Sequence, residues 1–153
     1  MAGDIQARLA EDMKAALKAG EEGRLELSVI RLARAALQNA AIEKRKSLTE
    51  DEVIETLARE VKQRKEAAAE YEGLGRQDAA ARLLAEAAVI QRYLPEPLSE
   101  DELRRIVSEA IAATGAASRR DLGKVMGKVM PLTRGRADGR RVNELARELL
   151  PEA

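Results

Sequence analysis

The sequence predicts an all-α fold, with a four-helix N-terminal lobe followed by a three-helix C-terminal lobe. Apolar residues recur at helical spacing along the 153-residue chain, and no stretch shows the alternation typical of a strand. The only aromatic residues are Tyr71 and Tyr93. The core must therefore be built from aliphatic side chains and alanine, a composition that favours packing of helix on helix.

The first two predicted helices cover residues 4–19 and 23–43. Asp4 is the expected N-cap of the first helix, and Gly20 is expected to end it. Its apolar face is Ile5, Leu9, Met13, Ala16 and Leu17. The second helix is expected to bury a wide apolar stripe made of Leu25, Val29, Leu32, Ala33, Ala36, Leu37 and Ala40.

A capping box marks the start of the third predicted helix. Thr49 is followed three positions later by Glu52, and the apolar spacing then continues to about Glu72. The fourth helix is expected over residues 77–93, with one face formed by Leu83, Ala87, Ile90 and Leu94. Tyr93 at its end is expected to pack at the joint that follows this helix, with its hydroxyl near the surface.

Two prolines within three residues, Pro95 and Pro97, form the clearest boundary in the sequence. Proline lacks a backbone N–H and disfavours helical geometry in the residue before it. We therefore expect an N-terminal lobe over residues 1–94, a short joint over 95–98 and a C-terminal lobe over 99–153.

The C-terminal lobe begins with a second capping box, in which Ser99 precedes Glu102. Its first helix is expected over residues 100–114. The next is expected to start at Ser118 and to stop at Pro131. Asp138 is the expected cap of the last helix, whose inward residues are Val142, Leu145, Ala146 and Leu149.

The composition excludes several kinds of function. The chain has no cysteine and no histidine, so disulfides, thiol nucleophiles, Cys/His zinc sites and Ser-His-Asp triads are impossible. We predict no catalytic residue, no metal and no cofactor.

No apolar run has the length of a membrane span, and the N-terminus does not resemble a signal peptide. A cytoplasmic protein with no membrane contact is expected.

The charge is balanced in each lobe but concentrated within one segment. Residues 1–95 carry 16 basic and 17 acidic side chains, and residues 96–153 carry 11 and 10. The segment over residues 115–141 holds eight basic residues against two acidic ones, a local net charge of +6. The eight are Arg119, Arg120, Lys124, Lys128, Arg134, Arg136, Arg140 and Arg141. This basic segment is the candidate working surface.

The spacing of residues within the basic segment makes the prediction of a functional surface more specific. Arg120, Lys124 and Lys128 are four residues apart, which places them on one helix face. Gly123 and Gly127 share the same spacing on an adjacent face. Each glycine costs a helix about 1 kcal/mol relative to alanine, so the pair predicts close approach by another helix or by a sugar-phosphate chain. A merely solvated basic face beside tightly packed helices is the alternative.

Further glycines follow in the loop over residues 134–139, where Gly135 and Gly139 permit unusual backbone angles. The start of the last helix then offers backbone N–H groups to an anion. This loop lacks the GK[ST] ending of a Walker A motif. The lobe contains no aromatic residue beyond Tyr93, which disfavours base stacking and leaves recognition of backbone and shape in a structured nucleic acid. The predicted contact residues are the eight basic residues together with Gly123, Gly127, Gly135 and Gly139.

Three blocks of sequence together resemble the YqeY family, over residues 4–150. The first is Leu27-Ser28-Val29-Ile30-Arg31 with Leu37-Gln38-Asn39, and the second is Tyr93-Leu94-Pro95 with Leu98-Ser99-Glu100. The third and most specific runs from Asp121-Leu122-Gly123-Lys124-Val125-Met126-Gly127 through Gly135-Arg136-Ala137-Asp138-Gly139 to Val142-Asn143. That family is similar to the C-terminal tail of the GatB subunit of glutamine-dependent tRNA amidotransferase, and a comparable module precedes some glutaminyl-tRNA synthetase cores.

The resemblance implies tRNA as the partner, because the amidotransferase tail engages the outer body of tRNA. The resemblance assigns this implied tRNA contact only to the positions that match the family's pattern, which are Gly123, Lys124, Gly127, Lys128, Gly135, Arg136 and Gly139. The carbon–nitrogen ligase label of the family is then inherited from the full enzyme. Our leading hypothesis is a non-catalytic tRNA-binding accessory module. The alternatives are a protein-interaction module, docking on an amidotransferase or translation factor through the second helix or the region of Tyr93, and an amidotransferase-type enzyme in its own right.

Overall fold

The structure is a computed structural model that describes residues 4–152. This part of the chain forms seven α-helices and two short 3₁₀-helices and contains no strand, which confirms the all-α prediction. No helix within it is both long and apolar enough to cross a membrane. The α-helices are α1 (Asp4–Lys18), α2 (Arg24–Lys44), α3 (Glu50–Gly73), α4 (Gln77–Gln91), α5 (Glu100–Thr114), α6 (Leu122–Thr133) and α7 (Gly139–Leu149). The 3₁₀-helices are Gly20–Gly23 and Arg119–Asp121.

The chain divides into two compact units, Met1–Pro95 and Glu96–Ala153. The N-terminal unit contains α1 to α4, and α2 contacts each of the other three helices. Its core is aliphatic apart from Tyr93, and its fully buried large side chains are Leu9, Val29, Ile30, Val53, Leu57 and Ile90. Such burial supplies the main favourable term in folding.

The capping box at Thr49 is present as predicted. Its hydroxyl accepts from the Glu52 N–H at 3.2 Å, and the Glu52 carboxylate accepts from the Thr49 N–H at 2.9 Å. The Glu52 carboxylate also accepts from Lys44 Nζ at 2.6 Å, which ties the end of α2 to the start of α3. The Lys44 hydrogen bond and the Thr49 N–H lower the pKa of Glu52 from 4.5 to about 2.

The predicted apolar stripe of α2 is wrong at two positions. Leu25 is 39% exposed and Leu32 is 51% exposed. The buried face instead contains Ile30, together with Val29, Ala33 and Leu37. Because α2 carries apolar side chains on more than one face, its periodicity leaves the inward direction open. That direction is set by packing on α1, α3 and α4.

A similar displacement occurs at the end of α1, where Leu17 is exposed and its neighbour Ala16 is buried. Gly23 explains this arrangement, because a Cβ atom added there would collide with the Ala16 backbone carbonyl. The buried glycine therefore lets the chain entering α2 lie directly against α1. Gly20 has the left-handed geometry expected for the residue that follows a helix (φ +63°).

Tyr93 is a buried residue at the edge of the core, and its hydroxyl lies beside the exposed Asp12 side chain. The residue is only 6% exposed, and its hydroxyl donates to the Asp12 carboxylate. The Arg8 guanidinium lies 4.9 Å from the ring centroid, a cation–π arrangement. Burial and the Asp12 carboxylate raise the pKa of Tyr93 above its ordinary value. The sequence did not identify this partner, because Asp12 lies on α1, far from Tyr93 along the chain.

The C-terminal unit packs α5, α6 and α7 around a second aliphatic core. The Ser99 capping box and the left-handed Gly115 delimit α5 as predicted, and the Asp138 carboxylate caps α7. The fully buried side chains are Val107, Val125, Val129, Val142 and Leu145.

Helix α6 departs from its predicted boundaries at both ends. Ser118 caps the 3₁₀-helix that precedes it, and Pro131 lies inside the helix instead of stopping it. A proline here removes the N–H that would bond to the Gly127 carbonyl, and Gly127 lies on the exposed side of the helix. The next turn still closes, because the Arg134 N–H donates to the Met130 carbonyl at 3.0 Å.

Candidate nucleic-acid interface

The exposed side of α6 consists of two adjacent rows of residues. Gly123 and Gly127 form a row without side chains, and Lys124 and Lys128 form a basic row beside it. A Cβ atom added at either glycine would have no neighbour within 4 Å. Among the described residues, no helix of the C-terminal unit packs against the glycines, so tight packing inside that unit does not explain them. We call this surface the glycine–lysine face.

The basic side chains on and near the glycine–lysine face are lightly compensated. Arg120, Lys128 and Arg140 are exposed and form no ion pair with any residue in the described range. Lys124 lies 3.8 Å from the Asp121 carboxylate, but its side chain is 70% exposed. An exposed pair of this kind contributes little stability, so the ammonium groups stay available to an external anion.

Asp121 has its own structural role. Its carboxylate accepts from the Ala117 N–H at 2.9 Å, and this hydrogen bond is the main reason that its pKa is lowered. The carboxylate thereby holds the turn that precedes α6 and sets the direction in which the glycine–lysine face points.

Arg119 is held within the unit. Its guanidinium donates to the Arg147 carbonyl at 3.1 Å and to the Glu152 carboxylate at 3.4 Å. Its backbone N–H donates to the Pro151 carbonyl at 3.0 Å. These bonds fasten the end of the chain to the start of the basic segment, so a structural role accounts for this arginine.

Arg141 is surrounded by carboxylates. It pairs with Glu100, with Glu144 at 3.2 Å and with Glu148 at 3.5 Å. Hydrogen bonding to Arg141 holds the pKa of the Glu100 carboxyl below its ordinary value. The positive charge of Arg141 is therefore compensated inside the unit, and α5 and α7 are joined by it.

The loop between α6 and α7 anchors the segment that enters α5. Arg136 Nε donates to the Glu96 carbonyl at 2.9 Å, and the Arg136 carbonyl accepts from the Leu98 N–H at 2.8 Å. Gly135 has the left-handed geometry that its position predicted (φ +73°). Arg134 beside it is partly buried. This loop thus has a structural role that local sequence did not reveal.

The start of α7 is closed by its own cap. The Asp138 carboxylate accepts from the Arg140 N–H at 3.0 Å, which occupies a donor that an anion would otherwise use. Gly139 is the first residue of α7, and an added Cβ would lie 3.9 Å from Met130 Cε. The helix start therefore offers a weaker anion site than its sequence indicated.

Sequence reasoning missed one exposed apolar residue on this surface. Leu132 is 54% exposed and lies four residues beyond Lys128, so it extends the basic row. Its helical spacing from Arg120, Lys124 and Lys128 was the available signal. The expected stop at Pro131 concealed it, because residues beyond a helix end have no defined face.

The chemistry of the exposed side chains is suited to binding anions. Over residues 4–152, no group of three acidic side chains is placed to hold a metal ion. Histidine and cysteine are absent from the whole sequence. Exposed ammonium and guanidinium groups beside a bare helix backbone can bind oxyanions, and phosphates above all.

Comparison with known proteins agrees with the sequence blocks described above. No curated protein matches the chain. The model of the YqeY family, described as Yqey-like protein, matches residues 6–150, which is nearly the entire sequence. The chain therefore belongs to the YqeY family.

Proposed function

We propose that this protein is a non-catalytic tRNA-binding accessory module related to glutamine-dependent tRNA amidotransferase. The observation that carries the proposal is the glycine–lysine face. Its glycines leave the helix backbone bare to solvent, and its lysines have at most one weakly placed acidic neighbour. A site of this form favours a partner that brings phosphate close to a helix.

The spacing of the lysines, the bare glycine row and the lack of aromatic residues favour a folded nucleic acid as the partner. Lys124 and Lys128 are one helical turn apart, about 6 Å along the axis, and can act on neighbouring phosphates. The bare row at Gly123 and Gly127 lets a sugar-phosphate chain approach without steric obstruction. Because the C-terminal unit has no aromatic residue, stacking on unpaired bases cannot supply affinity. Recognition through backbone and shape remains.

The resemblance to the amidotransferase tail supplies the identity of that nucleic acid as tRNA. On this proposal the protein acts in the cytoplasm and contributes binding to tRNA amidation or translation. On this proposal, the carbon–nitrogen ligase label of the family is inherited from the full enzyme.

Fluorescence anisotropy with a labelled folded tRNA tests the proposal. The test variant is Arg120→Ala/Lys124→Ala/Lys128→Ala, and the control is Lys18→Ala/Arg59→Ala/Lys65→Ala, which removes three exposed charges from the N-terminal unit. We expect the test variant to bind tRNA much more weakly, while the control keeps the wild-type affinity. Equal affinity for wild type and test variant refutes the proposed site.

A protein-interaction module is the second candidate, favoured by exposed apolar side chains on α2. Leu25, Leu32 and Ile42 are 39%, 51% and 69% exposed. At the other surface considered, the apolar joint around Tyr93, the tyrosine itself is buried and offers little contact area. This candidate predicts a stoichiometric complex with one translation or amidation protein that survives nuclease treatment and is lost in Leu32→Lys. Loss of the complex on nuclease treatment favours tRNA binding instead.

A further inference from the structure

A pocket of about 570 Å³ lies in the N-terminal unit, far in sequence from the glycine–lysine face. Its volume falls within the range of small-molecule sites. Helix α1 contributes Gln6, Leu9 and Met13 to its lining, and α2 contributes Arg31, Arg34 and Gln38.

The pocket contains positive charge without a matching carboxylate. Arg31 and Arg34 are three residues apart on α2, so they occupy neighbouring positions on one helix face, and both line the pocket. None of the described residues that line the pocket is acidic. The unit is not short of acids, since residues 1–95 carry 17 of them against 16 basic residues. Two like charges therefore line a pocket whose described lining holds no carboxylate.

Arg34 is exposed and contacts a weak acceptor in the pocket wall. Its Nη1 donates to Met13 Sδ at 3.1 Å, and a thioether sulfur is a weak acceptor. By contrast, Arg64 of the same unit pairs with Glu60 at 3.0 Å and Glu86 at 3.4 Å. An oxyanion in the pocket would give the Arg31 and Arg34 donors strong acceptors and relieve their mutual repulsion.

The remainder of the pocket combines apolar and amide groups. Leu9 is almost completely buried, and the half-buried Met13 provides an adaptable thioether wall. Gln6 and Gln38 add side-chain amides that can donate or accept. A bare inorganic ion would leave the apolar part of the pocket in contact with water.

We propose that this pocket binds a small organic anion, in which a carboxylate or phosphate group on an apolar body is held by Arg31 and Arg34. The apolar body lies against Leu9 and Met13. This inference does not depend on tRNA binding, because every residue it uses belongs to the N-terminal unit.

Methionine-methyl NMR on the full chain tests the proposal directly. Met13 lines the pocket, while Met126 and Met130 belong to the C-terminal unit and serve as internal controls. The probes are hexanoate, hexyl phosphate, hexylammonium and inorganic phosphate. We expect hexanoate or hexyl phosphate to shift the Met13 methyl signal saturably, and the stronger of the two identifies the preferred anionic group. Hexylammonium should have no effect.

The Arg31→Gln/Arg34→Gln variant should bind the same probe at least about tenfold more weakly, because charge-assisted hydrogen bonds are lost. Arg59→Gln/Lys65→Gln, on the exposed side of α3, is the charge-matched control and should bind like wild type. The proposal is overturned if Met13 does not shift, if the pocket variant binds as well as wild type, or if inorganic phosphate binds as tightly as hexyl phosphate. The pocket variant should keep its tRNA affinity, so the two proposals can fail separately.

Discussion

Replacing Gly123 and Gly127 with alanine should stabilise the protein and weaken its binding to RNA. A helical glycine costs about 1 kcal/mol relative to alanine. Neither new methyl group meets an atom within 4 Å, so no steric penalty offsets the gain. The free energy of unfolding of the C-terminal unit should therefore be about 2 kcal/mol higher in the double variant than in wild type. Gly23→Ala should have the opposite effect, because its methyl group would collide with the Ala16 carbonyl.

Native-state hydrogen exchange at the buried Val125 and Val129 amides measures this gain within the correct unit. A gain of about 2 kcal/mol corresponds to exchange about 30-fold slower. The affinity for tRNA should fall at the same time, since two methyl groups hold the sugar-phosphate chain away from the helix. Gly73→Ala, at the end of α3 and equally unobstructed, should leave tRNA affinity unchanged. If the double variant is less stable than wild type, the space around Gly123 and Gly127 is not open as described. If its tRNA affinity is unchanged, the sugar-phosphate chain does not approach the helix closely at these glycines.

Three further predictions concern stability and are testable by urea unfolding. The pKa of Glu52 is lowered from 4.5 to about 2 in the folded protein, so its stabilising contribution is complete above pH 4.5 and disappears as the pH falls toward 2. The stability difference between wild type and Glu52→Gln should therefore shrink over that interval, and a constant difference contradicts the assignment. Thr49→Ala should cost about 1 kcal/mol through loss of the cap, whereas Ser47→Ala, an exposed position in the same loop, should cost much less. Leu145→Ala in the C-terminal core should cost about 2–5 kcal/mol, and a cost below 1 kcal/mol would contradict its full burial.

The elements that sequence predicted well are those with local signals. Thr49 and Ser99 each carry the complementary glutamate three residues later, and both capping boxes are present in the structure. The wrong placement of Leu32 and the unidentified partner of Tyr93 have a different origin. The inward face of α2 and the partner of the Tyr93 hydroxyl are fixed by helices distant in sequence, which a periodic pattern does not identify.

The sequence also could not show which basic residues of the candidate interface have partners elsewhere in the chain. Counting charges gave a local net of +6, but counting cannot separate exposed cations from those with distant partners. Arg136 is bonded to Glu96 and Arg141 to Glu100, each about 40 residues earlier in the chain. Lys124 and Lys128 have no such distant partners, and they lie in one row of α6 beside the row of the two glycines, as the spacing predicted. Arg120, predicted on the same helix face as the lysines, lies in the 3₁₀-helix that precedes α6.

The salt dependence of tRNA binding tests the central claim most directly. Each phosphate contact contributes about 0.7 to 0.9 to the slope of log affinity against log salt concentration. Removing Arg120, Lys124 and Lys128 should therefore reduce the slope by about 2 to 3. The control variant lacking Lys18, Arg59 and Lys65 should keep the wild-type slope. If wild type and the Arg120/Lys124/Lys128 variant show equal slopes, the glycine–lysine face does not contact the phosphates of tRNA.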